Sequence, residues 1–352
     1  MKKWNSEKVE HLTSDIKALL ASGWEKFVSS HPDGTVFQSP DMYELFALTG
    51  RMKPLAVGVI DPEGGRMKGI LLGAVIREMK GPAGYFSART VIYGGPLIDP
   101  NADNKDVILN SLLNELIRLA KNKSVFIQFR NFFDQTESLP QFISKDFQLR
   151  DRLNLLVDTS DLELVRKNMS STRLRQIKKG LESGARIIDP DNENQIREFY
   201  DILFHLYRYK VKKPLPSRDF FLNFYHLSKT NRLGIIRLVE FDGKIIGGII
   251  SPVTPGKTIY EWYVCGLDKT YREAYPSVLA TWAAIDYAAK NNIPRFDFMG
   301  VGVPDRDYGV RDFKARFGGE MVNYGRFARI NNKLIYTVSE LGYNVLSLLK
   351  KI

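Results

Sequence analysis

Apolar positions follow two rhythms along this chain, and the pair of rhythms occurs twice. Residues 54–78 form two apolar runs around Asp61-Pro62-Glu63-Gly64-Gly65, and residues 233–251 do the same around Phe241-Asp242-Gly243-Lys244. Short apolar runs separated by Asp/Gly turn chemistry predict a β-hairpin at each place. After the first hairpin the pattern predicts a strand at Arg89–Tyr93, a turn at Gly94-Gly95-Pro96, a helix over about 104–121 and a strand at Ser124–Phe129. After the second it predicts a strand at Thr258–Cys265, a helix over about 276–290 and a strand at Arg295–Phe298. The helices show the 3.6-residue period: Val107, Ile108, Leu112, Leu116 and Leu119 in one, and Val278, Leu279, Trp282, Ile285 and Ala289 in the other. Asn291-Asn292 and Pro294 stop the second.

Two copies of one mixed α/β unit explain this order better than one large domain, because each copy has its own strands and its own covering helix. Val157-Asp158-Thr159-Ser160 offers helix caps at the junction. The expected division is therefore 1–157 and 158–330. Beyond the junction, Leu174, Ile177 and Leu181 make the apolar edge of a helix that Gly184 is placed to end. Leu334, Ile335, Val338, Leu341, Val345, Leu346 and Leu349 mark an amphipathic C-terminal helix, read as packing on its own protein; Lys350-Lys351 keeps a membrane-surface contact as the alternative.

Composition narrows the class. With 352 residues, 44% hydrophobic and 26% charged, the chain has the material for packed cores and is not a disordered protein. The lone Cys265 permits neither an internal disulfide nor a cysteine zinc cluster, and suits a reducing compartment. The first residues, Met1-Lys2-Lys3-Trp4-Asn5-Ser6-Glu7-Lys8, lack the apolar stretch of a secretory signal, and no run of about 18 uncharged apolar residues exists, so the expected location is cytoplasmic without a membrane span.

The formal charge is +11, and it is uneven: residues 161–330 hold 28 basic and 20 acidic side chains, against 23 and 20 elsewhere. The densest run, Arg166 to Lys179, contains Arg173, Arg175, Lys178 and Lys179 and no acid. Such a face suits tRNA phosphates, a diphosphate or anionic lipid, or is simply solvated.

Common catalytic motifs are missing. Gly256-Lys257-Thr258 lacks the glycine five positions earlier that a phosphate loop needs, Gly300-Val301-Gly302-Val303-Pro304-Asp305 lacks the third glycine of a dinucleotide fingerprint, and no G-x-S-x-G elbow occurs. His11, His31, His205 and His226 form no HExxH pairing, so no metal site is expected. The informative stretch is Phe296-Asp297-Phe298-Met299-Gly300, followed by Phe313-Lys314-Ala315-Arg316-Phe317-Gly318-Gly319. A strand ending in an acid and a glycine leads into a loop that returns two cations between two aromatics.

These two segments, with the duplicated unit, Val36-Phe37-Gln38-Ser39, Tyr93-Gly94-Gly95-Pro96 and the Arg173–Gly184 basic segment, resemble the Fem family of peptidoglycan-bridge aminoacyltransferases. The resemblance implies an α/β fold of two tandem GNAT-like domains, each a mixed central sheet with flanking helices, with 331–352 packing back on the first domain. It also implies transfer of an aminoacyl group from charged tRNA to an amine of a peptidoglycan or envelope precursor, near the inner face of the membrane. By position it makes Lys314 the electrostatic stabiliser at the transfer centre and Phe313 its aromatic neighbour, since a fixed cation favours the oxyanion that develops when an amine attacks an ester. Tyr263, Asp297 and Arg316 become substrate contacts on the same grounds. Arg208, Lys212, Lys213 and Arg218 are approximate counterparts of a substrate-binding arginine and tyrosine, and Arg173, Arg175, Lys178 and Lys179 are candidates for tRNA phosphates. No general base declares itself.

The chain also departs from the family. Pro40-Asp41-Met42-Tyr43-Glu44-Leu45-Phe46 offers no lysine for a substrate diphosphate, so the acceptor need not be a UDP-linked muropeptide, and no long helical-hairpin insertion is present. Acetyl-CoA is not expected as cofactor. GNAT enzymes hold its pyrophosphate on a glycine-rich turn before the helix, whereas Tyr271-Arg272-Glu273-Ala274-Tyr275-Pro276-Ser277 has no glycine, carries an acid and includes a proline without an N–H. Two rival functions stay open: an acyl-CoA-dependent N-acyltransferase in envelope polysaccharide synthesis, and a non-catalytic RNA-binding module.

Overall fold

The computed structural model describes residues 11–78, 81–230 and 232–337. These divide into two compact units, the first made of 11–47, 51–150 and 326–337 and the second of 48–50 and 151–325. Their strands, in chain order, are β1 (His11–Thr13), β2 (Met52–Ile60), β3 (Met67–Ile76), β4 (Arg89–Tyr93), β5 (Leu97–Ile98), β6 (Phe126–Arg130) and β7 (Gln148–Arg150), then β8 (Leu153–Asp158), β9 (Arg186–Ile188), β10 (Gly234–Phe241), β11 (Lys244–Thr254), β12 (Thr258–Tyr260), β13 (Tyr263–Gly266), β14 (Arg295–Asp297) and β15 (Glu320–Asn323), and finally β16 (Arg326–Ile330).

The first sheet runs β1-β2-β3-β4-β6-β16-β7 with β5 on β3, and the second runs β15-β8-β14-β12-β11-β10-β9 with β13 on β11. Each sheet holds a parallel pair, β4 with β6 and β12 with β14. A parallel connection needs a crossover, and the helices Lys105–Ala120 and Pro276–Lys290 supply it. The duplicated pattern in the sequence is thus a duplicated βαβ crossover, and the chain has two tandem GNAT-like halves.

Both junctions differ from the expected ones. β8 straddles the expected boundary at residue 157 yet pairs with β14 and β15, because Leu155 and Val157 are buried in the second core. β16 precedes residue 330 yet pairs with β6 and β7, with Phe327 buried in the first core and stacked 3.9 Å from Phe142.

The helix Lys105–Ala120 buries Ile108, Leu109, Leu112, Leu113 and Leu116 over its sheet, each worth roughly 1.5–3 kcal/mol of apolar burial. Val107, expected in the stripe, is exposed, since it falls one position outside the i, i+4 rows. In the second hairpin the turn Asp242-Gly243 has φ of 49° and 72°, the left-handed pair that a two-residue hairpin requires. The expected C-terminal helix begins over 333–337, where Asn332 Oδ1 accepts from Ile335 N; its remainder lies outside the described residues. No described helix is long and apolar enough to cross a membrane.

Candidate functional site

The site forms where β12 and β14 end side by side. Tyr260 pairs in parallel register with Asp297, and the next residue, Glu261, donates its backbone N–H to the Asp297 carbonyl at 2.9 Å. The single strand expected over Thr258–Cys265 is broken here. β12 and β13 both pair with β11, but Val253↔Ile259 and Ile250↔Tyr263 differ by one residue in register, so Tyr260-Glu261-Trp262 bulge opposite the shorter Ser251-Pro252. Pro252 has no N–H to give a continuous ladder, which is why the bulge falls there. A bulge interrupts the alternation of side chains along the sheet, and Glu261, the middle residue of this one, is 5% exposed.

Lys314 meets that carboxylate. It sits on the short helix Gly309–Ala315, and its Nζ lies 2.9 Å from Glu261 Oε1, donates to the Phe298 carbonyl at 2.9 Å and to the Gly300 carbonyl at 3.3 Å, and stands 5.3 Å from the Phe298 ring centroid. Its three N–H groups are matched by three acceptors, and the residue is 9% exposed. Thr281, on the crossover helix, donates to the other Glu261 oxygen at 3.2 Å. Removing one partner from a buried pair of this kind typically costs about 3–5 kcal/mol, because the other charge is stranded.

Asp297 is buried beside this pair. Its Oδ1 accepts from Met299 N at 2.6 Å, and Asn154 Nδ2 on β8 approaches both oxygens at 3.2 and 3.4 Å. Burial raises its pKa to about 6, against the pull of the Met299 N–H, Asn154 and Lys314. Met299 has φ +61°, a left-handed conformation that costs a side-chain-bearing residue energy; the Asp297 carboxylate accepts from its N–H, and Lys314 donates to the carbonyls of the residues before and after it.

Phe313 and Phe317 are fixed by Arg173. Its guanidinium lies 4.3 Å from both ring centroids, donates to the Phe313 carbonyl at 2.7 Å and to Gln176 at 2.7 Å, and is 2% exposed. Arg173 is therefore no surface phosphate ligand, which corrects the expectation: the apolar edge of the helix Ser171–Glu182 carries this arginine inward against two aromatics. Burial, with Arg316 adding repulsion, lowers its pKa to about 10. Arg175, Lys178 and Lys179 are exposed on the same helix, and Arg316 is exposed next to Phe317.

The other expected substrate residues gather elsewhere in the second unit. Tyr263 is half-buried in an aromatic cluster with Phe221 at 5.2 Å, Trp262 at 5.6 Å and Tyr207 at 6.3 Å. Tyr207 opens the π-helical turn Tyr207–Val211, which bears the exposed Arg208 and leads into the exposed Lys212 and Lys213. Arg218 is exposed and pairs with Asp201 at 2.8 Å. The structure thus groups Lys314, Phe313 and Asp297, and separately groups Tyr263 with the Tyr207 turn.

At the start of the crossover helix, Asp268 accepts from Ser277 N at 3.0 Å and from Ser277 Oγ at 2.6 Å. The chain's own carboxylate occupies the N-terminus where a helix would otherwise hold an anion. In the first unit, Val36-Phe37-Gln38 and Tyr93-Gly94-Gly95 meet at the end of the β4/β6 pair: Phe37 stacks on Tyr93 at 5.2 Å, and Gln38 Nε2 donates to the Gly95 carbonyl at 3.2 Å. A Cβ at Gly94, φ +82°, would stand 2.5 Å from that amide. Among the described residues no group of three or more His, Cys, Asp or Glu could hold a metal.

Glu261 and Asn154 escaped the sequence reading. Pro252 inside an apolar run was the available signal for the bulge that presents Glu261; nothing local marks Asn154.

Residues 250–344, which span the bulge, Asp297 and Lys314, match the FemAB family. No curated protein matches the sequence. Among solved structures the chain is similar to FemX (16% identity, 90% of this chain and 97% of that one, TM-score 0.67). It is also similar to a tandem GNAT protein from the clavulanic acid biosynthesis pathway (11%, 92% and 99%, 0.57) and to L-PGS from Bacillus licheniformis (11%, 96% and 98%, 0.56). Residues 250–344 thus match the FemAB family, within a chain whose fold is that of tandem GNAT-like proteins.

Proposed function

We propose that this protein transfers an aminoacyl group from charged tRNA to an amine of a peptidoglycan or envelope precursor, at the cytoplasmic face of the membrane. The observation that carries this reading is the buried ammonium of Lys314, held at the end of the parallel strand pair within the region that matches the FemAB family. The amine nitrogen attacks the ester carbonyl, the C–N bond forms, and the ribose oxygen leaves with a proton. Charge develops on the carbonyl oxygen, and a nearby cation in a dry site favours that charge over the ground state. The 3.3 Å contact to the Gly300 carbonyl is the weakest of the three at Lys314, so that N–H is the one to redirect toward the reacting oxygen.

The self-capped helix supports charged tRNA over acyl-CoA as donor, because Asp268 repels the pyrophosphate that such a helix N-terminus would bind. Arg175, Lys178 and Lys179 remain as exposed cations for tRNA phosphates.

The test is mass spectrometry of amine-bearing precursors incubated with the protein and either charged tRNA or acyl-CoA. Product is expected with charged tRNA, and roughly 100-fold less with Lys314→Ala. Product with acyl-CoA alone overturns the donor, and no product with any donor overturns the function.

A further inference from the structure

The buried pair at the centre of the site contains a second residue whose role is open. Three observations single out Glu261. It is an acid at the middle of a β-bulge, and bulges next to sites commonly re-aim one side chain. Both of its oxygens are engaged, one by Lys314 at 2.9 Å and the other by Thr281 Oγ1 at 3.2 Å, while its backbone N–H ties it to the strand that carries Asp297. It is also 5% exposed, where an ion pair adds little stability that apolar packing could not equal. A buried acid held this firmly is poorly explained by stability alone.

We propose that Glu261 is the positioning residue of the transfer site, acting through Lys314. Without it the ammonium would be held only by the Phe298 and Gly300 carbonyls, and its flexible four-carbon stem could settle elsewhere. With it, two strong contacts at 2.9 Å fix Nζ, and the weaker contact at 3.3 Å leaves one N–H to exchange for the reacting carbonyl oxygen. Thr281 in turn fixes the carboxylate, so the order of support runs from the crossover helix through the bulged strand to the cation. Glu261 itself exchanges no proton with substrate in this scheme. The inference rests on the aminoacyl-transfer reading of the site and deepens it.

A double-mutant cycle on the full chain tests it, with kcat and KM for transfer measured for wild type, Glu261→Gln, Lys314→Ala and the double variant. Glu261→Gln keeps the shape and an acceptor oxygen but removes the charge, and is expected to lower kcat about 30- to 100-fold with KM within about threefold. In the Lys314→Ala background the same change is expected to cost less than about twofold, because a residue that acts through Lys314 has nothing left to act on. A full additional loss in that background overturns the proposal and points to direct contact with substrate; an unchanged kcat in Glu261→Gln overturns it as well. Should Glu261→Gln fail to fold, Thr281→Val, which leaves the ion pair in place, is expected to lower kcat about three- to tenfold in the wild-type background and not in Lys314→Ala; equal losses in both overturn the proposal. Absence of transfer by the wild-type chain overturns the functional reading and this inference together, whereas normal transfer by Glu261→Gln overturns only the inference.

Discussion

Arg173 and Phe313 are joined twice: the guanidinium lies over the Phe313 ring at 4.3 Å and donates to the Phe313 carbonyl at 2.7 Å. Phe317 lies at the same distance from the guanidinium and edge-on to Phe313, so the residues on either side of Lys314 are held from one helix. Each cation–π contact is worth about 0.5–2 kcal/mol, and a hydrogen bond from a charged donor about 1.5–3 kcal/mol. Arg173→Met keeps a long stem without the charge; it is expected to lower the melting temperature by several degrees and transfer by at least about tenfold. Arg175→Ala, Lys178→Ala and Lys179→Ala should leave melting unchanged within about a degree, since surface substitutions are usually neutral, while weakening tRNA binding in a salt-dependent way. Thermal melts and filter binding across a salt series check both statements, and equal melting of all four variants would contradict the clamp.

The buried Asp297 makes a pH prediction with a definite sign. Its folded pKa is raised from 3.8 to about 6, so the folded state holds a proton that the unfolded chain has already lost. That contribution is fully present below about pH 4 and is lost as pH rises to about 6, after which stability stays lower by about 3 kcal/mol, the size of a shift of about two units. Asp297→Asn does not titrate. The difference between the unfolding free energies of wild type and the Asp297→Asn variant, measured by urea denaturation from about pH 4 to 7.5, should therefore move against wild type across that window. A flat difference would show that Asp297 ionises as freely as in the unfolded chain.

The Asp268 cap yields a binding prediction. Losing a carboxylate that accepts from a first-turn helix N–H costs about 1 kcal/mol, so Asp268→Ala should melt a few degrees below wild type. Millimolar acetyl-CoA should not shift the melting of the wild-type protein. A concentration-dependent rise in wild-type melting would mean that the helix end admits the pyrophosphate after all.

Gly180 tests the packing behind the clamp. A Cβ there would stand 2.6 Å from the Ala274 carbonyl oxygen and 3.1 Å from Leu279 Cδ1. Alanine is favoured over glycine inside a helix by about 1 kcal/mol, yet the backbone carbonyl cannot yield as a side chain could. Gly180→Ala is therefore expected to destabilise by about 1–3 kcal/mol, read from denaturant midpoints, and a stabilised variant would show that the helices separate without cost.

Much of the architecture could be read from periodicity, because its signals are local. The hairpins around residues 61–65 and 241–244, the helix Pro276–Lys290 and the strand Arg89–Tyr93 are each set by turn residues, caps and apolar spacing a few positions apart. The junctions were not readable, since the sheet that Leu155 or Phe327 joins depends on partners well over a hundred residues away or in the opposite half of the chain. Lys314 and Asp297 stood out by motif. Arg173 misled, because a cation in a basic run looks solvated until two phenylalanines from residues 313 and 317 close over it. Glu261 was hidden by a one-residue register change that only the pairing of β11 with both neighbours exposes.

The place of β16 between β6 and β7 has a consequence for biosynthesis. When the ribosome has released residues up to 150, β6 and β7 have emerged with no strand between them, and the missing one lies some 170 residues downstream in the message. The first half of the protein therefore completes its sheet only after the second has been translated, and a nascent chain arrested anywhere in between presents unpaired strand edges to chaperones and proteases.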